Sequence, residues 1–354
     1  MLAEYFGASV AVVLWVAASA GVVNFNKWIL AASRFPYAKG MVAMHMLASA
    51  VLSWALYGVA GSRLFPSMPR VWEHRGKVFR DVLVISALGT LSIVLSNEAY
   101  KHCSVPFVQM CKEGNAVLAY CVALALGQEV WSRPRATLLL CVFLGCCVAI
   151  HGELTFSRFG FAIQATHQLC EVWKINLQAA LFRSSLVKLD ALSLVLLLTP
   201  LCLCWTMALL LVEAIALRRE HGDSQTREIL QHGLALWPTL FLNCLSAYGL
   251  NVTSSIVVSR VNAVGFCLAG AVKNIVILVV ATVLMGEFLT LQQALGYAFA
   301  LCSVVLYSLV KLFPSRFEKG LGRGVVALAT EARRYCRRAP PIRIEALECL
   351  GKEV

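Results

Sequence analysis

A chain of 354 residues that is 59% hydrophobic and only 14% charged lies far from the roughly 25% charged residues of an ordinary soluble domain. Its apolar runs reach the roughly 20 residues needed to cross a bilayer and recur with short joins along the whole length. That excludes a soluble enzyme and leaves no room for a catalytic ectodomain, and the formal net charge of +12 comes largely from the joins and the C-terminal tail, where it bears on membrane orientation.

Ten transmembrane helices are expected, at about residues 3–32, 38–60, 81–100, 104–126, 134–151, 159–182, 190–217, 232–258, 263–286 and 290–312. An even number puts both termini on one side. Of the 31 lysines and arginines, 20 fall on that side, seven on the other, and Lys27, Lys112, Lys174 and Lys273 inside spans. The positive-inside rule therefore predicts cytosolic termini. The first apolar run begins at Leu2 with no basic segment ahead of it and continues to Lys27, so neither a cleaved signal nor an organelle transit peptide is expected. The expected location is the Golgi or ER membrane, ahead of a plastid membrane.

The interior charges are the informative residues, taken in chain order. Span 1 ends in Asn24, Asn26 and Lys27, a lysine placed either to snorkel to the interface or to line a cavity. His45 and, on span 6, His167 are expected as hydrogen-bonded packing residues. Lys112 enters span 4 to a depth of about 12 Å, and Glu113 beside it points to another face, where it can neutralise a neighbouring span. Glu171 and Lys174 are three apart on span 6, so they share a helix face and can pair. Asn251-Val252-Thr253 spells a glycosylation sequon inside span 8 and is expected to stay unused. The ninth span, Asn262 to Glu287, is nearly all apolar yet holds Lys273 about 15 Å past its start, close to mid-membrane. A charge at that depth costs about 2.5 to 3.5 kcal/mol on insertion scales and usually faces a wet, protein-lined path. The fourteen cysteines sit mostly within apolar runs without a CxxC pair, so no metal site and no cofactor are expected. After Phe313 the composition changes to a basic tail, with Arg333, Arg334, Arg337 and Arg338 followed by Pro340-Pro341, suited to the cytosol and to anionic headgroups.

Shifting the chain by 158 residues lays Ser104–Ile150 over Asn262–Ser308 and Glu129 over Glu287. A shift of five spans reverses membrane orientation, which predicts two inverted five-helix repeats, about 1–152 and 159–313, with 314–354 as the tail. Lys112 then enters from the lumenal side and Lys273 from the cytosolic side, and the two cations can meet near the midplane. An anion between them would relieve their repulsion: at an effective dielectric of about 20, a charge pair 4 Å apart gains about 4 kcal/mol.

With these residues laid out, the chain resembles the triose-phosphate translocator and nucleotide-sugar transporter family of the drug/metabolite transporter superfamily. The resemblance runs from about Asn24 to Lys311 through NFNK at 24–27, SNEAYKHCSVPFVQMCKEGN at 96–115, TPLC at 199–202 with Glu213, NVTSSIVVSRVNAV at 251–264, AGAVKN at 269–274 and LGYAFALCSVVLYSLVK at 295–311. It implies ten helices in two inverted halves around a central site that opens alternately to each side. It also implies phosphate-binding roles for Lys112 and Lys273, a hydroxyl at Ser96 beside Asn97, and a basic position at Lys174. The sequence departs from the plastid members at Asn274, where they carry arginine, at Leu250, where they carry tyrosine, and after Lys112, where their proline is absent. The pair Lys273-Asn274 looks closer to a Lys-Asp branch.

The expected function is a secondary transporter, an antiporter of phosphorylated solutes, either nucleotide sugars or sugar phosphates, by alternating access. Its candidate substrate contacts are Lys112, Lys273, Asn274, Ser96, Asn97, Lys174, Lys27 and Asn251. Its expected partners are a phosphorylated small molecule, a counter-substrate and the lipid bilayer, with no nucleic acid; a homodimer is compatible with it. Two rival classes stay open at this point: a non-transporting scaffold or receptor of the same fold, and a membrane-embedded transferase. The second is disfavoured because the only aspartates, Asp81, Asp190 and Asp223, are too scattered for a metal or an acid/base step.

Overall fold

The computed structural model describes residues 2–30, 34–35, 37–153, 157–221, 233–260, 263–286, 289–317, 320–327 and 330. Among them the chain is helical, without strands: α1 (Leu2–Ile29), α2 (Ala38–Ala60), the short α3 (Met68–Glu73), α4 (Arg75–His102), α5 (Val105–Glu113), α6 (Asn115–Ala125), α7 (Arg133–His151), α8 (Arg158–Arg183), α9 (Ala191–His221), α10 (Trp237–Arg260), α11 (Ala263–Met285), α12 (Leu291–Leu312) and α13 (Pro314–Phe317). Local chemistry sets several of these boundaries. Ser104 caps α5, accepting from the Phe107 N–H, with proline in the first turn. Thr290 and Gln293 form a reciprocal capping box at the start of α12. Asp190 accepts from both the N–H and the Oγ–H of Ser193 at the start of α9 and from Ser67 near α3, tying two connections together.

Seven of these helices are long and apolar enough to cross a membrane: those of α1, α2, α4, α7, α9, α10 and α12. The protein is thus a multi-pass membrane protein, and large side chains such as Val13, Leu47, Val51, Phe143 and Leu144 point outward, as a lipid-facing surface requires. The other three expected spans differ in an instructive way. The segment expected as one span at 104–126 is two helices, α5 and α6, which meet at Gly114. There the ladder shifts to three-residue spacing, Gly114 N–H to Cys111 O and Val117 N–H to Gly114 O, and the Gln168 side chain donates to the Cys111 carbonyl. A side chain inserted into the ladder is a recognised cause of a break. Within α8, Gln164, His167, Gln168, Asn176 and Gln178 are all buried, so its polarity is turned inward. In α11 the apolar run is the shorter Val264–Val280. Glu287 and the arginine cluster at 333–338 lie outside the described residues.

The most extensive packing joins α7 to α12, followed by α4 to α8, α2 to α9 and α1 to α10. At the α7–α12 seam the backbones nearly touch. A Cβ on Gly145 would lie 2.8 Å from Ala300 N and Gly296 O, and one on Gly296 would lie 2.6 Å from Ala149 N. Small residues four apart on both helices, Gly145 with Ala149 and Gly296 with Ala300, permit this approach, as in other membrane helix pairs. Gly145→Leu or Gly296→Leu should therefore cost at least about 1 to 3 kcal/mol through overpacking and lower the melting temperature of the detergent-solubilised protein. Gly58→Leu, at an exposed glycine with open space around it, should leave the melt nearly unchanged.

Candidate functional site

Two cavities meet between α1, α2, α4, α5, α6, α8, α10 and α11. The outer one, of about 330 Å³, is lined by Asn26, Lys27, Ser96, Asn97, Tyr100 and Lys112 among others. The inner one, of about 220 Å³, includes Trp15, Glu171, Lys174, Asn251, Lys273 and Asn274 in its wall. Asn26 and Lys112 line both, so the two are neighbouring chambers with Lys112 at their junction. All eight residues singled out in the sequence line one chamber or the other: Lys27, Ser96 and Asn97 the outer, Lys174, Asn251, Lys273 and Asn274 the inner, and Lys112 both.

Lys112 sits in the last turn of α5, immediately before the break at Gly114. Its Nζ donates to Ser96 Oγ at 3.4 Å and to Tyr100 OH at 3.5 Å and lies 5.6 Å from the Tyr100 ring centroid. Tyr100 OH in turn accepts from Gln109 Nε2 at 2.8 Å. Lys273 points its Nζ over the Trp15 ring, 5.5 Å from the centroid. Neither lysine, nor Lys174, makes an ion pair among the described residues. Three ammonium groups thus face the inner chamber without an ion pair; Glu171 is the acidic residue in the same wall, and the buried Glu113 also acts on Lys273.

Glu171 does not pair with Lys174, although their spacing permits it. Its Oε2 accepts from Asn115 Nδ2 at 3.2 Å and lies 3.2 Å from His167 Nε2. Asn115, the residue after the break, also accepts from Gln168 Nε2 at 2.9 Å, so α6 is held against α8 by side-chain amides. His167, expected as a packing residue, is hydrogen-bonded as foreseen and is also part of the chamber wall's support, with Nδ1 2.8 Å from the Ser92 carbonyl. His45 meets Asn243, which donates to Asn26 Oδ1 at 2.9 Å, and Asn251 donates to Ser49 Oγ at 3.3 Å. These bonds fix the amide groups along α1, α2 and α10.

Glu113 points to neighbouring spans, as anticipated, and its hydrogen-bond donors there are neutral. Its Oε1 accepts from Asn274 Nδ2 at 2.8 Å and from Tyr297 OH at 3.4 Å. This qualifies the place of Asn274 among the contacts. Its amide nitrogen is committed to Glu113, while its Oδ1 has no hydrogen-bond partner among the described residues. An arginine introduced at 274 would meet Glu113 first. His45, expected as a hydrogen-bonded packing residue, is one, whereas Trp15, Tyr100, Asn115 and Asn243 escaped sequence reasoning, although Tyr100 and Asn115 stand inside the segment at 96–115.

The fold and site together define a polytopic helical membrane protein with a lysine-rich internal chamber. The chain matches the Triose-phosphate Transporter family over residues 7–308 and belongs to that family, a family of transporters. Two proteins of Arabidopsis thaliana, each named "Probable sugar phosphate/phosphate translocator", are 28% identical to it over 301 and 312 residues, covering 84% and 85% of this chain and 86% of each of theirs. A third of that name from the same organism is 27% identical over 305 residues, with 84% of this chain and 76% of its own covered. Among solved structures, one crystal structure at 12% identity superimposes with a TM-score of 0.55 over 84% of this chain and 95% of its own, a likeness of fold.

The Glu113–Asn274 bond can be tested directly. Asn274→Leu should destabilise the solubilised protein by about 1 to 3 kcal/mol, because it strips a buried carboxylate of its best donor. Adding Glu113→Leu should recover part of the loss. Equal and additive losses in the two single variants would show that the pair is uncoupled.

Proposed function

We propose that the protein is a secondary transporter that exchanges phosphorylated solutes, sugar phosphates before nucleotide sugars, by alternating access. The observation that carries this reading is the inner chamber, where Lys112, Lys174 and Lys273 face Glu171 without an ion pair of their own. Held close together in a site of restricted water access, unpaired ammonium groups raise each other's energy. A phosphate ester supplies the missing anionic charge, and each contact it makes is a charge-assisted hydrogen bond. The printed names of the relatives point to the same solute class.

In this reading the ten spans form two inverted halves, with α5 and α6 as one broken span and residues 1–313 as the transport unit ahead of the basic tail. Two features support it. Val105, which opens α5, and Ala263, which opens α11, are 158 residues apart, and so are Arg133 and Leu291, which open α7 and α12. The packing partners also exchange under the swap of halves: α4 against α8 corresponds to α1 against α10, α4 against α9 to α2 against α10, while α7–α12 and α2–α9 map onto themselves. Broken helices near the midplane are where transporters of this kind hold their solutes, and here the break falls two residues after Lys112.

Reconstitution into proteoliposomes with a panel of labelled sugar phosphates and nucleotide sugars tests the function. Lys112→Ala and Lys273→Ala should reach the membrane at near-normal levels and lose exchange by at least about tenfold, since each removes a charge the solute needs in a partly desolvated site. Lys273→Arg should be partly active, because a planar guanidinium presents its donors differently. Wild-type exchange by both alanine variants at matched protein levels would overturn the proposal.

Orientation is tested separately. A tag at Val354 should be open to protease in sealed microsomes, whereas one between residues 218 and 230 should be shielded. Protection of the C-terminal tag would reverse the topology.

A further inference from the structure

We infer that the His167–Glu171 pair is a proton-binding site linked to anion occupancy of the inner chamber, so that a bound dianion is accompanied by a proton. The inference rests on the anion-carrier reading above and gives it a second ligand. Its basis is donor and acceptor geometry. His167 is 3% exposed, and its Nδ1 lies 2.8 Å from the Ser92 carbonyl oxygen and 3.1 Å from Ser92 Oγ; the nearer oxygen only accepts, which places a hydrogen on Nδ1 and leaves the hydroxyl as the farther neighbour. The other ring nitrogen, Nε2, lies 3.2 Å from Glu171 Oε2. Nε2 has no hydrogen-bond partner among the described residues, and in that tautomer a neutral imidazole would set an unprotonated nitrogen beside an ionised carboxylate. One further proton, on the ring or on the carboxyl group, removes the conflict. Asn115 Nδ2, 3.2 Å from the same oxygen, holds the carboxyl group in place in either state.

Glu171 lines the chamber and His167 stands behind it, so the proton count of the pair sets the charge that a solute meets. The charged groups acting on the pair are Lys112 from α5, Lys174 from α8 itself and Lys273 from α11. Cys267 of α11 is a further titratable neighbour, α4 and α6 present the neutral Ser92 and Asn115, and α10 presents no charged group to the pair among the described residues. With the pair protonated the chamber carries one more positive charge than with it deprotonated. Thermodynamic reciprocity then requires that an anion favoured by protonation also favours protonation. The step is a single proton taken from solution onto the Nε2/Oε2 contact, with no other bond made or broken.

The experiment uses the purified full chain in detergent and two inorganic probes. Sulfate keeps its dianionic charge between about pH 5.5 and 8, whereas phosphate titrates within that window. Anion binding is read from the thermal shift, and proton uptake from a pH indicator in weakly buffered solution. Wild-type protein should take up protons when sulfate is added, and its apparent sulfate affinity should weaken by about tenfold as pH rises across the window. Glu171→Gln should bind sulfate with little pH dependence and no uptake, and His167→Gln, which can still bond the Ser92 carbonyl, should behave likewise.

Sulfate binding by wild-type protein without proton uptake would overturn the inference and leave the anion-carrier reading standing. Wild-type uptake retained by both variants would overturn it too. Failure of both sulfate and phosphate to stabilise the wild-type protein would overturn the anion-carrier reading and this one with it.

Discussion

The structure depends on keeping unpaired ammonium groups inside a helical bundle. In hydrocarbon the cost of such a charge is several kcal/mol, and it falls only where polar groups or water reach the nitrogen. Around Lys112, Lys174 and Lys273 the bundle supplies hydroxyls, aromatic faces and two adjoining chambers. The consequence spreads outward through the fold. The helix bearing Lys112 breaks at Gly114, α8 fills with buried amides, and a glutamate from each of α5 and α8 is fixed by an asparagine on a neighbouring helix. What departs from a plain apolar span is concentrated in α5, α6 and α8, where these charges and their supports sit.

The two glutamates show how differently a buried acid can be used. Glu113 turns away from the chamber and is bound by Asn274 and Tyr297, which ties α5 to α11 and α12. Glu171 remains in the chamber wall with histidine and asparagine as partners. A buried carboxylate held by an amide and a histidine, and not paired with a lysine, adds negative potential without saturating the lysines, which leaves their positive field available to a solute. Local neutralisation and residual charge are therefore set by which helix each glutamate faces, and not by how many acids the interior holds.

Much of this arrangement was legible in the sequence because membrane helices obey a length rule and a burial rule that single segments reveal. Nine of the ten expected spans coincide with one continuous helix each, seven of them long and apolar enough to cross a membrane, and Lys112 and Lys273 drew notice because depth within an apolar run is countable along the chain. The break in span 4 was not legible, since Gly114 alone is tolerated in a helix and the deciding group, Gln168, lies on α8. Nor could the sequence show that Glu171 would choose His167 and Asn115 over Lys174. Three-residue spacing permits the lysine pair, but the competing donor comes from 56 residues away. The link from Asn274 to Glu113 spans 161 residues and has no periodic signal at all.

The α7–α12 seam has a use beyond stability. Where backbones touch through glycine, there are no long side chains to change rotamer and little free volume to slide into, so relative movement would have to break main-chain contacts. In the alternating-access cycle proposed above, this would make the seam a fixed post. Distances measured from probes near Gly145 or Gly296 to probes on α1 or α4 would then record absolute displacement of the chamber walls. Pairs placed entirely on the walls would give only their difference.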